Sequence, residues 1–116
     1  MTTNDGYILT IFRITWGQES DYTPTKPPII FNHGLLGEAY SYLGGRDYSG
    51  FWSPHHKPWE LMLSDLGYDV WMTNNRGTQY SQQHTSLDAE EDNQFWEFSW
   101  AEMGLYDVPA NIKIVK

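Results

Sequence analysis

Residues 29–37 read IIFNHGLLG. An apolar run stops at Asn32-His33-Gly34, and Leu35 and Leu36 follow where a turn is expected to be polar. The run ending at Phe31 is short and continuous, the pattern of a strand covered on both faces. Downstream, KPWELMLSDLG (57–67) reads as a helix. Pro58 suits its first position, and Trp59, Met62, Leu63 and Leu66 recur on one face. Gly67 is free to take the positive φ of a helix stop. YDVWMTN (68–74) then returns to strand character. A helix joining two covered strands implies a parallel sheet with a right-handed crossover, so the fold class is α/β.

The flanks extend this pattern. GYILTIFRITW (6–16), rich in β-branched and aromatic residues, reads as a strand or hairpin opening the fold. GQESDYTPTKPP (17–28) reads as a surface linker in which Pro24, Pro27 and Pro28 break any helix. GEAYSYLGGRDYSGFWSPHH (37–56) has no clear period and reads as an irregular excursion, and 74–94 as loop. SWAEMGLYDVPANIKIVK (99–116) opens with a capping box, Ser99 with Glu102. Val108, Ile112 and Val115 continue a helical face, and Pro109 must kink that helix or start its second part. The sequence holds no repeat and no low-complexity tract.

Composition narrows the function. The 116 residues fit one modest domain, and 40% hydrophobic residues suffice for a core. Six Trp and eight Tyr point first to core packing, with an aromatic platform for sugars or lipids as the competing reading. The net charge is −8, and no Lys or Arg falls between Arg76 and Lys113. Such a surface repels nucleic acid and anionic lipid. The run DAEED (88–92) is expected to be a solvated loop. There is no cysteine, hence no disulfide or thiolate metal site. Neither a membrane-spanning stretch nor a signal-peptide pattern occurs, and there is no glycosylation sequon.

In a parallel α/β sheet, ligands meet the chain just past the carboxyl ends of the strands. A glycine turn there exposes backbone N–H groups, and one rigidly held N–H can stabilise an oxyanion during acyl transfer. An amide donor leaves its side chain free to be apolar and to line a pocket for a greasy substrate. The alternative is that both leucines cap the sheet as ordinary core. The tetrapeptide alone leaves both readings open.

Four blocks, TTNDGYIL (2–9), FNHGLLG (31–37), LGYDVWMTNNRG (66–77) and FWEFSWAEMGLYDVPANI (95–112), stand in the order found in acid lipases. The chain resembles the N-terminal portion of that family, the gastric and lysosomal lipases with an α/β-hydrolase fold. The resemblance implies an N-terminal strand or hairpin followed by parallel β-α-β-α, truncated before the nucleophile strand. Residues 1–116 would then be a partial domain lacking the nucleophile elbow, the cap and the triad. In the family, the residue after His-Gly supplies an oxyanion-hole amide. This maps onto the backbone N of Leu35, with His33 and Gly34 shaping the turn and Leu36 in the substrate pocket. Three departures are visible: Asn4 replaces a usual acidic residue, Asn75 a usual serine, and the segment between Leu36 and Leu61 is longer than typical.

The resemblance implies hydrolysis of lipid esters, triacylglycerol or sterol ester, by Ser-His-Asp acyl transfer in a full-length parent, without cofactor or metal. It also implies a lysosomal or secreted location, which the absent signal pattern leaves open. The serine lies on a G-x-S-x-G elbow, followed by the acid and then the histidine. No such elbow occurs in the 116 residues, so all three are expected downstream. His55 and His56 lack further metal ligands at workable spacing, and His84 is expected to be solvent-exposed. A triad improvised from Ser99, Asp107 and a histidine has no motif behind it. The isolated chain is expected to self-associate through its open sheet edge and uncovered helices. Two alternatives stand beside the lipase reading: a non-catalytic interaction protein derived from the lipase N-terminal region, and an acidic aromatic carbohydrate-binding module.

Overall fold

A computed structural model of the chain describes residues 1–15, 23–43 and 58–116. Trp16, part of the expected linker (17–22) and most of the expected excursion (44–56, with His55 and His56) lie outside the described residues. The strands are β1 (Tyr7–Ile8), β2 (Ile11–Ile14), β3 (Lys26–Phe31), β4 (Tyr68–Thr73) and β5 (Gln83–His84). The helices are α1 (Trp59–Asp65), α2 (Trp100–Glu102) and α3 (Val108–Val115). Short 3-10 turns span Ala39–Leu43 and Asn93–Trp96. Two compact units emerge: Phe12–Thr73, and Met1–Ile11 together with Asn74–Lys116.

The unit Phe12–Thr73 contains the expected β-α-β element. Its sheet has the order β2-β4-β3, and β3 runs parallel to β4 with Ile29 opposite Val70, Ile30 opposite Trp71 and Phe31 opposite Met72. Ile14, Ala39, Val70 and Met72 form the core, flanked by Phe31, Leu61, Leu63 and Tyr68. The Arg13 guanidinium pairs with Asp69 at 2.7 Å and lies over the Trp71 ring. Gly67 ends α1 at φ 91°, where a Cβ would meet the Thr25 hydroxyl at 2.6 Å.

Three expectations change here. Pro27 and Pro28 lie in β3 rather than in a linker, with a bulge between Lys26 and Pro28. An edge strand tolerates them because its outer side needs no ladder donor. β3 is accordingly exposed at its start and half-buried at its end, whereas the central strand β4 is the covered one. On and just beyond α1, Trp59, Met62 and Leu66 face solvent, with Trp59 78% exposed. Of the expected face Leu63 packs on the core, joined by Leu61, while Glu60 and Ser64 are buried. The polar pair Glu60 and Ser64, one turn apart, lies on the covered side, so the apolar spacing alone did not say which side meets the sheet.

The other unit has a core of Tyr7, Leu9 and Phe95, packed against Met1, Leu87, Ala89 and Phe98. β1 and β2 do not pair with each other as a hairpin. β1 pairs antiparallel with β5, Tyr7 opposite His84, while β2 joins the other sheet. The first residues fold back on β1 instead: the Met1 ammonium donates to Leu9 O, and Leu9 N–H to Met1 O, each at 2.7 Å. The capping box forms as read, Ser99 N–H meeting the Glu102 carboxylate at 2.7 Å. A wide π turn over Met103–Asp107 then leads into α3, which carries Pro109 in its first turn. Proline has no N–H to offer the preceding turn, which favours that local rewinding. Val108 and Ile112 are exposed, and the side of this helix facing inward carries Asp107 and Asn111.

Candidate functional site

β3 ends at Phe31, and the next six residues carry the residues marked in the sequence. His33 is buried, and its ring Nδ1 lies 2.9 Å from Gly34 O. Gly37 N–H donates to the same carbonyl at 3.1 Å, closing a turn over Gly34-Leu35-Leu36-Gly37. Leu36 has φ 60°, a left-handed conformation that disfavours leucine by roughly 1–2 kcal/mol. Gly34 itself needs no such freedom: its φ is not positive, and a Cβ there would meet nothing within 4 Å among the described residues. The strained member of the turn is therefore a leucine, not the glycine. Strain of this kind gathers at ligand-binding turns.

Leu35 is 70% and Leu36 90% exposed, so neither caps the sheet as core. Among the described residues the Leu35 N–H has no hydrogen-bond acceptor. Thr73, at the end of β4 and without a sequence signal, supports the turn through Asn32. The Thr73 hydroxyl lies 2.7 Å from Asn32 Oδ1 and 3.3 Å from Phe31 O, and Asn32 Nδ2 donates to His33 O at 3.3 Å. Register alone gives a hint, because Phe31 opposite Met72 places Asn32 beside Thr73.

The second polar constellation lies in the other unit, around Arg76. Its Nη1 and Nη2 meet the Asp5 carboxylate at 2.7 and 3.0 Å, and its Nε meets Asp107 at 2.9 Å. The guanidinium stacks 3.9 Å above the Tyr7 ring, a cation–π contact, and the Tyr7 hydroxyl donates to Phe95 O. Burial alone would drive the Asp5 carboxyl up. Hydrogen bonds from Arg76 and Thr3 and the guanidinium charge outweigh it and hold the group below the usual carboxylate range. Burial likewise opposes the charge on Arg76, and its two carboxylates more than offset this, raising its pKa. A buried guanidinium held by two carboxylates and stacked on an aromatic ring is scaffold.

His84 is half-buried rather than solvent-exposed. Its Nδ1 accepts from the Ser86 and Leu87 amides at 3.1 Å each, which leaves the proton on Nε2 to donate to Asp5 O at 3.0 Å. Among the described residues the improvised triad does not assemble. Ser99 is engaged with Glu102, Asp107 is fully buried on Arg76, and His84 is occupied by backbone groups. No group of three or more metal-ligating side chains occurs among the described residues.

Residues 1–45 match the family described as partial alpha/beta-hydrolase lipase region, and residues 27–101 match the alpha/beta hydrolase fold. The chain is similar to lysosomal acid lipase/cholesteryl ester hydrolase of Homo sapiens, 38% identical over 115 residues that cover 97% of this chain and 26% of that protein. Its similarity to putative lysosomal acid lipase/cholesteryl ester hydrolase of Crotalus adamanteus is 36% over 116 residues, covering 99% and 27%. With Lipase 1 of Drosophila melanogaster it is 40% identical over 112 residues, covering 97% and 22%. The chain thus spans about a quarter of the length of these curated relatives. A parallel β-α-β element, a turn at the carboxyl end of its first strand and these matches lead to one conclusion: the chain belongs to the α/β-hydrolase fold family and is similar to its acid lipases.

Proposed function

We propose that this chain is part of a serine ester hydrolase that cleaves lipid esters, and that it contributes the Leu35 backbone N–H to the oxyanion hole. The observation that carries this reading is the state of that amide. It sits past the end of a parallel strand, in a turn held by two donors on Gly34 O, without an acceptor among the described residues. The names of the relatives, acid lipase and cholesteryl ester hydrolase, support a lipid ester as the substrate class.

The chemistry follows from the geometry this role requires. A serine attacks the ester carbonyl, a histidine takes the serine proton, and an aspartate orients the histidine. The carbonyl oxygen gains negative charge as the tetrahedral intermediate forms. A preorganised N–H about 3 Å from that oxygen stabilises the charge without reorganising. The side chains of Leu35 and Leu36 flank the same amide and suit an acyl chain. The 116 residues contain no G-x-S-x-G elbow, so in this reading they supply the oxyanion donor and not the nucleophile.

The test compares the protein expressed from its complete reading frame with the 116-residue chain alone. The complete protein should label at one serine with a fluorophosphonate probe and hydrolyse triolein or cholesteryl oleate emulsions. The short chain should do neither above a heat-killed control. Absence of labelling and hydrolysis in the complete protein would contradict the proposal, as would full activity in the short chain.

A further inference from the structure

We infer that Thr73 and Asn32 form a positioning couple that fixes the aim of the Leu35 amide. This rests on the acyl-transfer reading above and adds two residues to it. The peptide linking Gly34 to Leu35 is planar, so holding Gly34 O also fixes the direction of Leu35 N–H, on the opposite side of the bond. His33 Nδ1 and Gly37 N–H both hold that oxygen. Gly34 is the soft joint just before it, without a side chain and with open space around its Cα among the described residues. One pinned plane does not immobilise such a joint; the preceding plane must be pinned as well.

Asn32 pins it. Its Nδ2 donates to His33 O, the carbonyl of the preceding peptide, at 3.3 Å. Asn32 is itself exposed, and a hydrogen bond to a buried group orients an exposed amide. Thr73, fully buried at the end of β4, supplies the hold through its hydroxyl at 2.7 Å from Asn32 Oδ1. A threonine hydroxyl has one proton, and the nearer oxygen takes it in preference to Phe31 O. With Oδ1 accepting, Nδ2 must face His33 O, so the amide orientation and the network agree. The sequence of bonds runs from Thr73 to Asn32 to His33 O on one side of Gly34, and from His33 Nδ1 to Gly34 O on the other. Neither Thr73 nor Asn32 touches the reacting atoms in this scheme; both act through the Leu35 amide.

The experiment uses the complete protein with a soluble short-chain p-nitrophenyl ester. Thr73→Val keeps the shape and deletes the hydroxyl. It should lower kcat by about ten- to a hundredfold, as a misaimed donor does, with KM changed less than about twofold. Thr73→Ser should restore kcat. Asn32→Ala should reproduce the Thr73→Val loss and serves in its place should Thr73→Val fail to fold. In a Leu35→Pro background, which has no amide to aim, Thr73→Val should have no further effect on kcat. Gly37 amide exchange should quicken in Thr73→Val. Unchanged kcat in both Thr73→Val and Asn32→Ala, with Leu35→Pro inactive, would overturn the positioning role and spare the oxyanion reading. Full activity in Leu35→Pro would overturn both.

Discussion

Asp107 holds Arg76 by main chain and side chain at once: its Oδ2 accepts the Arg76 backbone N–H at 2.9 Å, and its Oδ1 lies 2.9 Å from Nε. Both residues are essentially inaccessible to water. Asp107→Ala therefore strands a buried guanidinium with only Asp5 for a counter-charge. The expected destabilisation is about 3–5 kcal/mol, read from the urea midpoint. Arg76→Lys should be nearly as damaging, because one ammonium cannot serve two carboxylates in fork geometry. A midpoint unchanged by Asp107→Ala would mean that this pair does not hold the unit together.

Asp5 gives the cluster a pH dependence. Its carboxyl is held below the value of 3.8 it has when free, so its contribution to stability is fully present above that value. The contribution is lost as pH falls through the depressed folded value. The stability difference between the parent chain and Asp5→Asn should be largest near neutrality and shrink in strong acid. A difference that grew on acidification would contradict the pairing.

Glu60 has the opposite sign. It is buried on α1 with Oε2 lacking a partner among the described residues, and burial raises its pKa above the free value of 4.5. The penalty is absent below about that value, grows as pH rises toward the folded value, and then stays constant. Glu60→Gln should raise the thermal midpoint at pH 7 and leave it unchanged at pH 4. A loss of stability at pH 7 would show that the carboxylate has a partner in solution.

Apolar side chains stand uncovered on both units: Trp59, Met62 and Leu66 on and just beyond α1, and Leu105, Val108 and Ile112 on and just before α3. Exposed apolar surface of this extent drives association. The 116-residue chain should sediment above its monomer mass, and Trp59→Glu with Met62→Glu should shift it toward monomer. A monomer at high concentration would show that these faces are tolerated in water.

The sequence made the β-α-β element legible because its signals are local. Gly67, needing positive φ, and the Ser99–Glu102 capping box act within a few residues of themselves, and both appear where read. The turn at 33–37 was legible for the same reason. Contacts that depend on distant partners were not. Nothing near Thr73 announces that it will meet Asn32, 41 residues away, or that Arg76 will find Asp5 across 71. On α1 only Leu63 of the expected face packs on the core, and on α3 the expected face at Val108 and Ile112 is exposed, because polar Glu60, Ser64 and Asn111 take covered positions. Apolar spacing then fixes a helix without fixing which side faces inward. Pro27 and Pro28 looked like breakers because the edge position that accommodates them is a property of the sheet, not of the segment.

The central claim concerns one hydrogen-bond donor, and proline tests it most directly. In the turn, Leu35 precedes a residue of positive φ, the position of a type II turn that proline favours. Leu35→Pro thus removes the N–H from a geometry that suits proline, whereas Leu35→Ala keeps the N–H and trims the side chain. In the complete protein, Leu35→Pro should lower kcat by about 10²–10³ on a soluble ester, the effect of losing one oxyanion donor, while Leu35→Ala stays within severalfold of the parent. Equal kcat for the proline and alanine variants in folded protein would contradict the account.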